Sequence, residues 1–156
     1  MNATNPPHIK SIAENRKARH DYFIVDTYEA GVVLLGTEVK ALREGRANLK
    51  DAYAKVKNGE LWVHQLHISP YSHASYDNHD PLRPRKLLLH RDEIKRLVGK
   101  VNEAGHTLVP LKLYFKSGKV KLLLALAKGK RQYDKRESIR RREEQRDLDR
   151  VRKTYR

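Results

Sequence analysis

The sequence predicts a mainly β fold, a small antiparallel barrel with short flanking helices and a basic C-terminal tail. Three observations predict it. Pairs of strand-like apolar segments meet at Asn58-Gly59 and at Lys116-Ser117-Gly118, both hairpin signals. One segment, Arg91 to Glu103, has helical periodicity instead, and apolar residues thin out sharply after Ala127.

Taken in order, Tyr22 to Tyr28 (YFIVDTY) is rich in β-branched and aromatic residues and reads as a strand. Gly31 to Gly36 encloses a second apolar run, either a new strand or a bent continuation of the first. Thr37 reads as the N-cap of a short helix with Val39 and Leu42 inward and Gly45 as its stop. Ala52, Ala54 and Val56 alternate with Tyr53, Lys55 and Lys57 up to Asn58-Gly59, and Leu61 to Ile68 resumes the apolar pattern. A type I′ turn needs positive φ at both central positions, which Asn-Gly supplies readily. Ser69 to Arg85 lacks periodicity and reads as a loop. In Arg91 to Glu103, residues Ile94, Leu97, Val98 and Val101 share one face, and Gly105 stands where a C-terminal cap belongs. Thr107 to Phe115 and Lys119 to Ala127 form the second hairpin. Pro110 has no amide for a ladder bond, so it marks an edge or a bulge. About five or six strands joined this way suggest closure into an OB-like barrel.

The 156 residues include 34 Lys+Arg against 19 Asp+Glu, a net charge of +15 with His neutral. The length fits one domain with a tail. Absence of Cys excludes disulfides, Cys-ligated zinc and thiol nucleophiles, and fits a cytoplasmic location. The longest apolar runs, Val32 to Leu35 and Leu122 to Ala127, fall far short of the ~20 residues of a membrane span. The N-terminus has no apolar stretch resembling a secretion signal. The expected partner is therefore a polyanion, and no membrane. Lys128 to Arg156 holds 13 Lys/Arg and 6 Asp/Glu in 29 residues, with few apolar side chains. This divides the chain into a flexible N-terminus (1–12), a barrel (13–128) and a tail (129–156). After Gly129 the tail has no Gly or Pro and offers acid–base pairs such as Glu137/Arg141 and Asp149/Lys153. Each contributes only ~0.2–0.5 kcal/mol. Leu148, Val151 and Tyr155 make too narrow a stripe to hold a helix in water, so the tail is expected to be disordered alone and helical against a phosphate-lined surface.

Four stretches together resemble one family. They are Asn15-Arg16-Lys17-Ala18-Arg19-His20-Asp21-Tyr22-Phe23, Tyr28-Glu29-Ala30-Gly31 running on to Gly36-Thr37-Glu38-Val39-Lys40, Arg85-Lys86-Leu87-Leu88-Leu89, and Ala127-Lys128-Gly129-Lys130-Arg131-Gln132-Tyr133-Asp134-Lys135-Arg136. In order and spacing they resemble the bacterial SsrA-binding proteins, small protein B. The resemblance implies an OB-like barrel that binds the tRNA-like domain of transfer-messenger RNA and brings it to a stalled 70S ribosome. It further implies that the tail probes an empty mRNA channel, helical once on the ribosome, and that the free protein is a monomer.

Residue by residue, the resemblance assigns RNA binding to Asn15, Lys17, Arg19, His20 and Tyr22, a chemistry of amide, cation and ring that suits exposed bases and phosphates. It places Glu29 on the RNA-binding face, orienting an Arg or accepting from a base. Lys128, Gly129 and Lys130 follow as two phosphate binders flanking a residue that permits close backbone approach. Tyr133, Asp134, Lys135 and Arg136 open the ribosome-directed tail, with Ile139, Arg140, Leu148 and Val151 further along it. Many family members carry His where Tyr133 stands, so a role needing imidazole protonation does not transfer.

Other readings compete. Tyr22 and Phe23 point to opposite faces of a strand, so one belongs to the core, as does Trp62. His64 and His67 fall on opposite strand faces, a poor arrangement for shared metal ligation. His73, Asp77, His79 and Asp80 share a loop without a scaffolded partner, and there is no P-loop or nucleotide-binding Gly fingerprint. No catalytic residue, metal or cofactor is expected, and the chain is not read as an enzyme. The alternative is a general ribosome- or RNA-binding OB-type protein without transfer-messenger RNA specificity.

Overall fold

The computed structural model describes residues 6–74, 77–103, 105–130 and 132–154, except the side chains of 132–138 and 151–154. Its strands are β1 (Ile9–Glu14), β2 (Tyr22–Val32), β3 (Ala47–Asn48), β4 (Tyr53–Lys57), β5 (Glu60–His64), β6 (His67–Ile68), β7 (Arg85–Leu88), β8 (His106–Lys116) and β9 (Lys119–Gly129). The helices are α1 (Arg16–Asp21), α2 (Gly36–Arg43), α3 (Arg91–Val101) and α4 (Gln132–Thr154). Strands β8, β4, β5, β7, β2 and β9 pair in turn, all antiparallel, and β9 pairs back to β8 to close the barrel. β1 lies outside this ring, on the edge of β8 that β4 leaves free beyond Leu108.

Both hairpins form at the expected turns. Asn58 and Gly59 have φ of 53° and 73°, Ser117 and Gly118 of 49° and 80°, so each is a two-residue turn with both residues left-handed. The Gly31 run continues β2 as far as Val32. α2 is capped two residues earlier than its sequence cap: Leu35 is the N-cap, and its amide donates to Glu38 Oε1 at 2.8 Å. Pro110 marks a bulge, with the register of β8 against β9 shifting between Pro110 and Lys112.

The barrel interior holds Leu42, Leu61, Leu87, Leu97, Leu113 and Leu122, all at most 1% exposed. Leu97 comes from α3 and Leu42 from α2, so both helices insert into the core. A second cluster lies on the outer face of β8 and β9, where Val109, Leu111, Ala125 and Ala127 are covered by Ala18 of α1. Covering both faces explains why Leu122 to Ala127 reads as an unbroken apolar run rather than an alternating one.

Four expectations need correction. Residues 9–12 of the supposedly flexible N-terminus belong to β1, held by pairing with Lys116, Phe115 and Tyr114 of β8; residues 1–5 lie outside the described residues. The tail boundary moves outward, since β9 runs to Gly129 and the Lys130 amide donates to the Asp21 carbonyl at 3.0 Å. Arg85 is not loop but the first residue of β7, a strand hidden from pattern reading because one of its two inward residues is a cation. Trp62 is not core: Leu61 and Val63 turn inward, leaving Trp62 half-buried on the outer face.

Arg85 is fully buried with Glu38 of α2, also 0% exposed, whose Oε2 accepts from Arg85 Nε. Arg83 Nη2 donates to Glu38 Oε1 at 2.6 Å, and a second guanidinium nitrogen of Arg85 donates to the Leu66 carbonyl. Burial alone would push the Glu38 carboxyl up; the hydrogen bonds from Arg83, the Leu35 amide and Arg85 outweigh it and hold the carboxyl below its usual range. His79, 6% exposed, ties the following loop to the same region: Nε2 donates to the Ile68 carbonyl at 2.9 Å and Nδ1 therefore accepts from the Thr37 hydroxyl at 3.0 Å.

Candidate nucleic-acid interface

A chain of local causes builds the first cation cluster. Pro110 disrupts the β8 ladder, and the bulge turns the Pro110 and Leu111 carbonyls toward β1. Asn15 meets them: its amide donates to the Leu111 carbonyl at 2.8 Å, and Nδ2 donates to the Pro110 carbonyl at 3.2 Å and the Leu49 carbonyl at 3.3 Å. Its Oδ1 accepts from the Ala18 amide at 3.2 Å and caps α1. Asn15 is thus 7% exposed with its amide committed internally. What these bonds do is cap α1 and fix its position.

α1 in turn buries Ala18 and displays Lys17 and Arg19, both exposed. The register of β2 against β9 pairs Tyr22 with Gly129 and Phe23 with Lys128, bringing the end of the last strand beside the end of α1. Lys17, Arg19, His20, Tyr22, Lys128, Gly129 and Lys130 therefore converge on one corner. His20 Nδ1 lies 3.0 Å from Asp21 Oδ1, with the ring still partly exposed. Tyr22 packs beside the Ala18 cluster, whereas Phe23 is 46% exposed with Lys130 Nζ 5.0 Å over its ring. Phe23 is thus the solvent-facing aromatic of the pair, a feature that sequence alternation could locate but not orient. A Cβ at Gly129 would meet nothing within 4 Å, so the fold itself does not require glycine there. Beside this corner lies a pocket of about 440 Å³ lined by Lys17, Tyr22, Lys50, Asp51 and Tyr53, with Thr107 as part of its floor.

Glu29 stands apart, roughly 20 Å along β2 from Tyr22. No Arg orients it. Tyr114 Oη donates to Glu29 Oε2 at 2.5 Å and Lys116 Nζ to Oε1 at 3.0 Å. The Tyr114 hydrogen bond first, and then the Lys116 ammonium, hold the Glu29 carboxyl below its usual range against partial burial. Burial, with the Glu29 carboxylate second, pushes the Tyr114 hydroxyl far above its ordinary value. Lys119 and Lys121 join Glu29 in lining a groove of about 720 Å³ that also includes Leu89 and His90. The carboxylate pairs with Lys116, while Lys119 and Lys121 line the groove beside it. Sequence reasoning picks out Glu29 but misses these lysines, since a hairpin turn rich in Lys reads as ordinary solvent-facing charge.

α4 presents Ile139 at 42% and Leu148 at 55% exposure, and every described side chain from Ile139 to Arg150 is exposed. Where the sequence leads one to expect a segment ordered by docking, the backbone is helical from Gln132 to Thr154. Local pairs accompany it: Arg140 Nε to Glu144 Oε1 at 3.2 Å and Gln145 Nε2 to Asp149 Oδ1 at 3.2 Å. The side chains of Tyr133, Asp134, Lys135, Arg136 and Val151 lie outside the described residues. Among the described residues no group of three His, Asp or Glu side chains is gathered to hold a metal, and no helix is long and apolar enough to cross a membrane.

A family profile described as SmpB protein matches residues 12–154. The chain belongs to the SmpB family. An SsrA-binding protein of Syntrophobacter fumaroxidans is 67% identical over 145 residues, covering 93% of this chain and 90% of that protein. An SsrA-binding protein of Geobacillus thermodenitrificans is 61% identical over 142 residues, covering 91% and 92%. A solved structure described as "tmRNA-SmpB: a journey to the center of the bacterial ribosome" superposes with a TM-score of 0.66 at 51% identity, covering 88% of this chain and 96% of that one. The SmpB match takes in both cation clusters and all of α4, and the mainly β barrel agrees with that SmpB structure.

Proposed function

We propose that this chain is the protein partner of transfer-messenger RNA in trans-translation. It binds that RNA and delivers it to stalled bacterial 70S ribosomes, as an RNA-binding protein of the cytoplasm and not as a catalyst. The observation that supports the reading best is the convergence, in an SmpB chain, of α1, the start of β2 and the end of β9 into one corner of cations around an exposed ring. Lys17, Arg19, Lys128 and Lys130 meet phosphates of the tRNA-like domain, and Phe23 with Tyr22 offers ring surface to an unstacked base. Glu29 acts by fixing the lysines of the second groove. Gly129 lets a backbone come close.

The tail takes the second task. With every described side chain of residues 139–150 exposed, α4 gains little from packing there, so its helix is sparsely populated in the free monomer and fills in against the phosphates of an empty mRNA channel. Tyr133, Asp134, Lys135 and Arg136 lead it in; Ile139, Arg140, Leu148 and Val151 are its contacts there.

Affinity for the isolated tRNA-like domain against bulk RNA at physiological salt tests the first part. A preference of at least tenfold is expected; equal affinities with the same salt slope would reduce the chain to a generic RNA binder. A truncation after Lys130 tests the second. It should bind the tRNA-like domain as the full chain does and fail to tag stalled peptides; normal tagging would overturn the division of labour.

A further inference from the structure

The outer faces of β4, β5 and β7 carry a second surface with RNA-binding chemistry. Ala54, Leu61, Val63 and Leu87 turn into the core, so alternation turns Tyr53, Lys55 and Lys57 of β4, Trp62 and His64 of β5, and Lys86 of β7 outward. The register aligns Lys55, Trp62 and Lys86 in one row across the three strands. In the next row Tyr53 and His64 stack at a centroid distance of 5.4 Å and 15° between planes, and Lys55 Nζ lies 5.5 Å over the Tyr53 ring. Glu60, opposite Lys57, is engaged by Lys86 Nζ at 3.2 Å. Tyr53 also lines the pocket beside α1, so the rows run on from the corner of Lys17 and Tyr22.

We infer that this face binds single-stranded RNA, with bases stacked on Trp62 and the Tyr53–His64 pair and the backbone running along Lys55, Lys57 and Lys86. Flat rings at strand spacing suit unpaired bases, whose faces are free; a duplex hides those faces and offers this surface only phosphates. Stacking is sequence-tolerant, so the face distinguishes unpaired from paired RNA and not one base from another. The inference goes beyond the proposed function, which concerns a folded RNA held at the neighbouring corner.

Trp62 is the chain's single tryptophan, so its emission reports this face and no other. The full chain is titrated with an oligouridylate of about twelve nucleotides, within the ~4–16 that one such barrel covers. Trp62 emission should quench along the binding curve read independently by anisotropy of labelled RNA, and a duplex of equal length should bind without quenching. Trp62→Ala should weaken oligouridylate binding by ~5–100-fold. Lys55→Gln with Lys57→Gln, both exposed and outside the core, should weaken it several-fold and lower the salt slope by about two. The same variants should keep affinity for the folded tRNA-like domain within about twofold, which separates failure of this inference from failure of the proposed function. Oligouridylate that binds with unchanged Trp62 emission, or lysine variants that bind it as tightly as the parent chain, would overturn the assignment.

Discussion

Arg–Glu ion pairs stand in opposite settings in two regions of the molecule. Glu38 meets Arg85 and Arg83 inside the barrel rim, with Glu38 and Arg85 both 0% exposed. Arg140 meets Glu144 on the tail helix with side chains 79% and 62% exposed. In the first, Glu38 and Arg85 are each held by several donors or carbonyls, and removing Glu38 leaves the Arg85 charge buried away from water. In the second, water replaces the partner at once. The lesson is that identical pair chemistry ties distant elements together where water is excluded and adds little where water can replace either partner.

The sharpest way to break this comparison is Glu38→Gln, which should lower stability by about 3–5 kcal/mol in urea unfolding, since it leaves Arg85 buried and unpaired. The same group gives a pH test. The Glu38 carboxyl titrates lower in the folded chain than the 4.5 usual for Glu, so its stabilisation is full above that value and is lost as pH falls through the folded one. Acid unfolding of the parent chain should steepen below pH 4.5, and Glu38→Gln should flatten that limb.

Asn15→Ala should come next, at ~1–2 kcal/mol for a lost cap, with RNA affinity falling because α1 is displaced. Lys17→Ala should instead leave the urea midpoint unchanged while lowering affinity for the tRNA-like domain and reducing the salt slope by about one. Gly129→Ala should not alter stability, as nothing lies within 4 Å of the added methyl. If a backbone approaches there, it should still impair RNA-dependent tagging. Smallest of all, Arg140→Ala should shift stability by no more than ~0.5 kcal/mol, and circular dichroism of a 129–156 peptide should show little helix in dilute buffer. A stable helix in that peptide would remove the contrast between the two regions.

Local physics made much of this legible in advance. The turns at Asn58-Gly59 and Ser117-Gly118 require left-handed residues, and the chain supplies them there. Pro110 lacks an amide and so dictates a bulge. The spacing of Ile94, Leu97, Val98 and Val101 dictates α3. The tail's charge density and narrow apolar stripe agree with the exposure of every side chain from Ile139 to Arg150. These follow from neighbours in sequence, so pattern alone reveals them.

Other features depend on residues far apart in the chain. Arg85 could be read as the inward residue of a strand only by knowing that Glu38 lies beneath it, 47 positions away. That the Asn15 side chain is engaged inside the molecule could be known only once the Pro110 carbonyl, 95 positions on, lay beside it. Glu29 needed Tyr114, 85 positions away, before its role beside the lysines could be assigned. The amino-acid order alone determined turns, helix faces, the bulge and the split between a core-forming and a purely charged segment. Which polar groups are used up inside the molecule and which still face a partner was decided only when the barrel closed, because a hydrogen bond's availability depends on what the fold brings within 3 Å of it.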